Sequence, residues 1–77
     1  MSLKPRNLAA ERTRRGMTQE GLAARLGVTT QQVSRWELYQ AEPRAETLIK
    51  LSKIFRCSPE YLLGLTEDPH GTLAPKA

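Results

Sequence analysis

Two predicted helices in the middle of the chain are separated by an unusually short connection. Thr18 suits the cap of the first helix, and Gly27 suits the left-handed residue that ends it. Only Val28 lies between Gly27 and Thr29, which suits the cap of the next helix. Ala23 is small and faces this turn, so the second helix can cross close to the first. The spacing therefore predicts two short helices that pack at a steep angle.

Apolar residues give this helix-turn-helix pair one side to bury. Leu22 and Leu26 recur on the first helix, and Val33 and Trp36 recur three residues apart on the second. The rest of the sequence predicts three more helices and no strand. One should run from about residue 5 to residue 15, and the other two should lie near 48–55 and 58–64.

The fold class is therefore expected to be all-α, as a compact five-helix bundle. A chain of 77 residues allows one domain. We place this domain at residues 5–66, after an N-terminal arm at residues 1–4. The segment 67–77 contains prolines, a glycine and few apolar groups, and we expect a disordered tail there.

Composition argues against several classes of protein. With Cys57 as the only cysteine, the chain cannot form an internal disulfide or a cysteine-based zinc site. The mean hydropathy is −0.51, and no apolar run approaches the roughly 18 residues of a membrane span. No secretory signal is visible, so we expect a soluble cytoplasmic protein. Because no catalytic triad or phosphate-binding loop is present, we expect no enzyme, cofactor, metal site or small-molecule ligand.

The positive charge is concentrated in the first half of the chain. Residues 1–35 carry seven basic and two acidic side chains, whereas residues 36–77 carry five basic and six acidic ones. A basic cluster attracts polyanions such as nucleic acid or anionic lipid. On charge alone, an ordinary solvated basic face explains the same pattern equally well.

The helix predicted at about residues 30–38 has a polar side suited to reading bases. At 100° per residue, Val33 and Trp36 point one way. The opposite side carries Thr30, Gln31, Ser34 and Arg35. Glutamine pairs with adenine and arginine with guanine through two hydrogen bonds, and hydroxyls contact several base edges. The alternative is a plain solvated face, which more often carries Lys and Glu pairs.

Several runs of residues between Leu8 and Gly64 resemble the phage Cro and repressor type of helix-turn-helix family. They are RTRRGMTQE (12–20), LAARLGV (22–28), VSRWE (33–37), Pro43 with ETL (46–48), and SPEYLLG (58–64). The resemblance implies a lambda-repressor-like DNA-binding domain of five helices. In such a domain helix 3 enters the major groove, and helix 2 lies across the sugar-phosphate backbone.

The resemblance also implies roles for individual residues. Bases would be read by Thr30, Gln31 and Arg35. Phosphate or flanking contacts would come from Thr18, Gln19, Gln32, Ser34, Tyr39, Gln40 and Arg44. Arg12 and Glu37 would form a structural pair joining helix 1 to the end of helix 3, because the helical phase of Glu37 points toward helix 1.

The loop at 38–42 departs from the family pattern. The family usually has a glycine at the position of Tyr39, followed by basic residues, so Tyr39 is expected to take a left-handed conformation. Glu42 would repel the DNA backbone. Two further departures are Glu11 in place of an apolar residue and Arg56 in place of a glycine.

Together these features predict a sequence-specific double-stranded DNA-binding transcriptional regulator, and specifically a repressor. One small module has little contact area for tight binding, so we expect a homodimer with recognition helices about 34 Å apart. The alternative is a protein-interaction module, such as an antitoxin or adaptor, built on the same fold. RNA is a weaker partner because the major groove of its duplex does not admit a helix.

Overall fold

A computed structural model describes residues 3–70 of the chain. Within that range the backbone forms five α-helices and no strand, which confirms the predicted all-α fold. The helices are α1 (Leu8–Arg14), α2 (Gln19–Leu26), α3 (Thr30–Glu37), α4 (Ala45–Phe55) and α5 (Pro59–Leu62). No helix in the described part of the chain is long and apolar enough to cross a membrane.

Side-chain caps and one glycine fix the ends of the two central helices. The Thr18 hydroxyl accepts a hydrogen bond from the Gly21 amide at 2.9 Å and caps α2. Gly27 ends α2 with a φ of 71°, a left-handed conformation that glycine adopts without steric cost. Thr29 then caps α3 by accepting from the Gln32 amide. The predicted short connection between α2 and α3 is therefore confirmed.

The first helix begins later than its sequence suggested. We expected Pro5 in the first turn, but α1 starts at Leu8 and Pro5 lies buried ahead of it. The Pro5 carbonyl accepts from the Leu8 amide at 3.0 Å, which is the three-residue spacing of a tight turn and not the four-residue spacing of an α-helix. The backbone amide of Asn7 donates to the Leu62 carbonyl at 3.0 Å. The Asn7 side chain also donates to the Tyr61 carbonyl. The entry to α1 is thus held by α5.

One apolar core joins all five helices. Its buried members are Leu8, Leu22, Ala23, Leu26, Val33, Trp36, Leu48, Leu51, Phe55, Leu62 and Leu63. Partly buried residues, Met17 and Cys57 among them, pack against this core. Burial raises the pKa of the Cys57 thiol above its usual value because the thiolate is poorly solvated there. The core fixes α3 by burying Val33 and Trp36, and this determines which side of α3 faces outward.

A buried carboxylate lies where an apolar residue is usual in the family. Glu11 is only 2% exposed, and its Oε1 accepts from the Tyr61 hydroxyl at 2.9 Å. Arg14 and Arg15 approach the same carboxylate at 3.5 and 3.4 Å. The hydrogen bond to Glu11 raises the pKa of Tyr61, because it favours the neutral phenol. The hydrogen bond between Glu11 and Tyr61 therefore joins α1 to α5, in addition to the apolar contacts of the core.

Two described residues other than glycine have left-handed backbone conformations. Tyr39, just after α3, has a φ of 60°, which confirms the expectation for that position. Arg56 ends α4 with a φ of 52°. The predicted tail at 67–77 lies mostly beyond the described residues, and within 67–70 the Pro69 carbonyl accepts from the Ser58 amide at 2.6 Å.

Candidate nucleic-acid interface

The polar side of α3 lies at the surface, opposite the core. Val33 is fully buried and Trp36 is 5% exposed, so these two residues attach α3 to the domain. Thr30, Gln31 and Arg35 are exposed, and Ser34 is half-buried. A helix held in this way presents one row of hydrogen-bonding side chains to a partner outside the domain.

The start of α2 contributes two polar side chains. Thr18 is exposed, and its hydroxyl accepts from the Gly21 amide while keeping its own proton to donate. Gln19 is half-buried, and its Nε2 donates to Glu37 Oε1 at 3.0 Å. An amide nitrogen carries two hydrogens, so Gln19 keeps a second donor. The hydrogen bond to Glu37 sets the orientation of that donor relative to α3.

Arg12 and Glu37 form the ion pair expected between α1 and the end of α3. Arg12 Nε lies 2.6 Å from Glu37 Oε2, and Arg12 Nη2 lies 3.0 Å from Oε1. A third hydrogen bond joins Arg12 Nη1 to the Met17 carbonyl at 2.8 Å. The hydrogen bond to Glu37 raises the pKa of Arg12, because it stabilises the charged guanidinium. Arg12 is thereby committed to contacts within the domain, and it holds α1, the start of α2 and α3 together.

Gln32 has a structural task that the sequence analysis missed. Its side-chain Oε1 accepts from the Thr29 backbone amide at 3.0 Å, and the Gln32 backbone amide donates to the Thr29 hydroxyl at 3.1 Å. This reciprocal pair is a capping box, and the spacing Thr-x-x-Gln at 29–32 was the signal for it in the sequence. The Gln32 side chain therefore faces the start of α3 and retains its NH₂ group as a donor.

The loop after α3 places the remaining predicted site residues at the surface. Tyr39, Gln40 and Arg44 are all exposed. The Gln40 amide donates to the Arg35 carbonyl at 2.8 Å, which keeps the start of the loop close to α3. Arg44 is the N-cap residue of α4. Glu42, the acidic departure from the family pattern, is also exposed in this loop.

A cleft of about 380 Å³ connects α3 with the start of α4. Gln32 and Arg44 both line it, so the fold brings these two predicted contacts to one place. Its other lining residues are Leu26, Val28, Trp36, Glu42, Pro43, Glu46, Thr47 and Lys50. The cleft is therefore lined by acidic, basic and apolar side chains together.

The sequence of the chain matches a known protein family. Residues 8–62 match the helix-turn-helix family model. The chain is 39% identical over 56 residues to repressor protein C2 of Salmonella phage P22, a match over 73% of this chain and 26% of that protein. It is 40% identical over 55 residues to the transcriptional regulator DicA of Escherichia coli, over 71% of this chain and 41% of DicA.

A solved structure shares the fold. The crystal structure of the P22 c2 repressor in complex with synthetic operator 9T superposes with a TM-score of 0.71 and 35% sequence identity. The match covers 80% of this chain and 94% of that one. The chain spans between about a quarter and two fifths of the length of the P22 repressor and DicA. The chain belongs to the helix-turn-helix family of phage repressors and related transcriptional regulators.

Proposed function

We propose that the chain binds double-stranded DNA in a sequence-specific manner and acts as a transcriptional regulator, most simply as a repressor. In this proposal α3 enters the major groove. The observation that carries it is the exposed polar row of Thr30, Gln31 and Arg35 on a helix whose opposite side is buried. These side chains are suited to hydrogen bonding with base edges.

The phosphate backbone would be held mainly by the start of α2. The first amides of a helix have no partner within it and favour an anion. Thr18 and Gln19 add side-chain donors at the same end. Because Glu37 bonds both Gln19 and Arg12, the phosphate contact and α3 would keep a fixed relative position. Gln32, Ser34, Tyr39, Gln40 and Arg44 would supply flanking contacts.

The relatives support this proposal. The P22 protein is a repressor, and its solved structure is a complex with an operator. DicA is a transcriptional regulator. We also propose that the chain acts in the cytoplasm, and through binding rather than catalysis.

A homodimer on DNA would give the specificity that a single module lacks. Two recognition helices about 34 Å apart would reach half-sites one helical turn apart on the same side of the duplex. Occupation of such a site within a promoter would exclude the transcription machinery. A single module buries roughly 600–1,000 Å² on DNA, the low end for specific binding.

Salt dependence tests the proposal. We would select duplexes from a random pool and measure Kd for the selected site between about 50 and 200 mM salt. DNA binding predicts a steep loss of affinity, with a log–log slope of about −0.9 for each phosphate neutralised. A flat response with no footprint on any duplex would instead favour the protein-interaction module. The observation that favours that second function is the lack of basic side chains at Gln40 and Ala41, where the family usually has them.

A further inference from the structure

Leu38 is an exposed leucine at the end of α3. It is 62% exposed, compared with 49% for Ile49 and 43% for Leu65. Single apolar side chains at a protein surface are common and need no explanation by themselves. The position of Leu38 relative to α3 is what distinguishes it.

Leu38 continues the outward face of α3. Its amide donates to the Ser34 carbonyl at 3.0 Å, so it keeps the helical hydrogen-bond pattern as the C-cap residue. At 100° per residue it lies within about 20° of Gln31, seven residues earlier, and one turn beyond Arg35. Val33 and Trp36 lie on the opposite side, in the core. Leu38 is thus the apolar end of the row that contains Gln31 and Arg35.

The chemistry of leucine limits what it can recognise in the major groove. Its side chain has no hydrogen-bond donor or acceptor, so it does not read the polar base-edge pattern. The one apolar group that a base pair displays in the major groove is the C5-methyl of thymine. Seven residues of helix span about 10.5 Å, or roughly three base steps of 3.4 Å. The base met by Leu38 would therefore differ from the base met by Gln31.

We propose that Leu38 is a specificity-determining residue that contacts the C5-methyl group of a thymine at one end of the site read by α3. The inference rests on the proposed DNA-binding function and extends it to an apolar contact. Continuity with Gln31 and Arg35 on one helix face favours DNA as the partner of Leu38. A protein partner covering Leu38 and the neighbouring Tyr39 is the competing outcome.

Replacing thymine by uracil tests the contact because it removes only the methyl group. In the selected site each thymine is changed to deoxyuridine in turn, and Kd is measured for the wild type, Leu38→Ala and Ile49→Ala. Ile49 is a matched control, since it is an exposed aliphatic residue on α4. Unfolding curves for all three proteins verify that each is folded.

We expect one thymine at which deoxyuridine weakens wild-type binding about fourfold, the scale of one buried methyl group. Leu38→Ala should lose a similar factor on the thymine duplex and show no further loss at that deoxyuridine. Ile49→Ala should behave as the wild type.

Two results would overturn the proposal. One is additive loss from Leu38→Ala and deoxyuridine at every thymine, and the other is unchanged affinity of Leu38→Ala for the selected site. In either case DNA binding itself would survive. Additive loss would mean that Leu38 supports DNA binding without touching a thymine methyl group, and unchanged affinity would favour a protein partner for Leu38. Failure to select any duplex would remove the proposed function and this inference together.

Discussion

The guanidinium of Arg12 and the carboxylate of Glu37 meet through two hydrogen bonds, 2.6 and 3.0 Å long, between the first and third helices. The two side chains are only 17% and 7% exposed. Glu37 also receives the amide of Gln19 at 3.0 Å. One carboxylate therefore fixes the end of α3 against both α1 and the start of α2.

Removing the guanidinium should destabilise the domain. Arg12→Ala leaves Glu37 largely buried with Gln19 as its remaining partner, and breaking a buried ion pair costs about 3–5 kcal/mol. Because Arg12 keeps some exposure, we expect about 3 kcal/mol, measured as the free energy of unfolding in urea. The exposed Glu46→Gln serves as a control and should cost less than about 1 kcal/mol. Equal losses in the two variants would show that the pair contributes little.

A glycine at position 56 should stabilise the protein. Arg56 holds a left-handed conformation at the end of α4, which costs a residue with a side chain about 1–2 kcal/mol. Glycine also makes the unfolded chain more flexible, which offsets part of this gain. We therefore expect Arg56→Gly to raise the free energy of unfolding by about 1 kcal/mol. The matched control is Lys53→Gly, inside α4, which should lose about 1 kcal/mol. A loss in both variants would mean that Arg56 makes contacts that outweigh its strain.

The hydrogen bond between Tyr61 and Glu11 should make stability fall at high pH. The pKa of Tyr61 is raised in the folded state, so the folded protein holds the phenolic proton more tightly than the unfolded chain. This contribution is fully present below the unfolded value, near pH 10, and is lost as pH rises through the folded pKa. The free energy of unfolding should therefore fall more steeply above about pH 10 in the wild type than in Tyr61→Phe. Parallel curves for the two proteins would contradict this role of the hydrogen bond.

Local sequence patterns were sufficient to predict those helix ends that are fixed by residues close by in the chain. Each of the three residues predicted to bound α2 and α3 has its predicted role and acts within three or four residues of its helix: Thr18, Gly27 and Thr29. The outward face of α3 followed from helical period alone, since Val33 and Trp36 had to be buried together. These features rest on short-range geometry.

The pair of Arg12 and Glu37 was expected from the family resemblance, but three other long-range polar contacts were not predicted. The predicted start of α1 was wrong, and the bond from the Asn7 amide to the Leu62 carbonyl, 55 positions away, was not predicted. The burial of Glu11 depends on Tyr61, 50 positions away. The hydrogen bond from Gln19 to Glu37 likewise joins separate helices. No local pattern marks such pairs, because they form only once the helices are packed.

A phosphate contact at Gln19 should affect all DNA sequences alike. Gln19→Ala removes a donor at the start of α2 and leaves the base-reading row of α3 in place. A hydrogen bond to a charged group is worth about 1.5 kcal/mol, so we expect roughly tenfold weaker binding on selected and random duplexes. The preferred site should remain the same. A change of preferred sequence in this variant would place Gln19 among the base-reading residues.

The most direct test of base reading by α3 is a duplex selection carried out in parallel with the wild type, Arg35→Ala and Lys53→Ala. Lys53 is exposed on α4, so its substitution removes a positive charge outside the proposed interface. Arg35→Ala is predicted to lose about 1–3 kcal/mol on the wild-type site and to relax the preference at one base pair, while Lys53→Ala retains it. If Arg35→Ala selects the same site with undiminished preference at every position, α3 does not read bases through this residue.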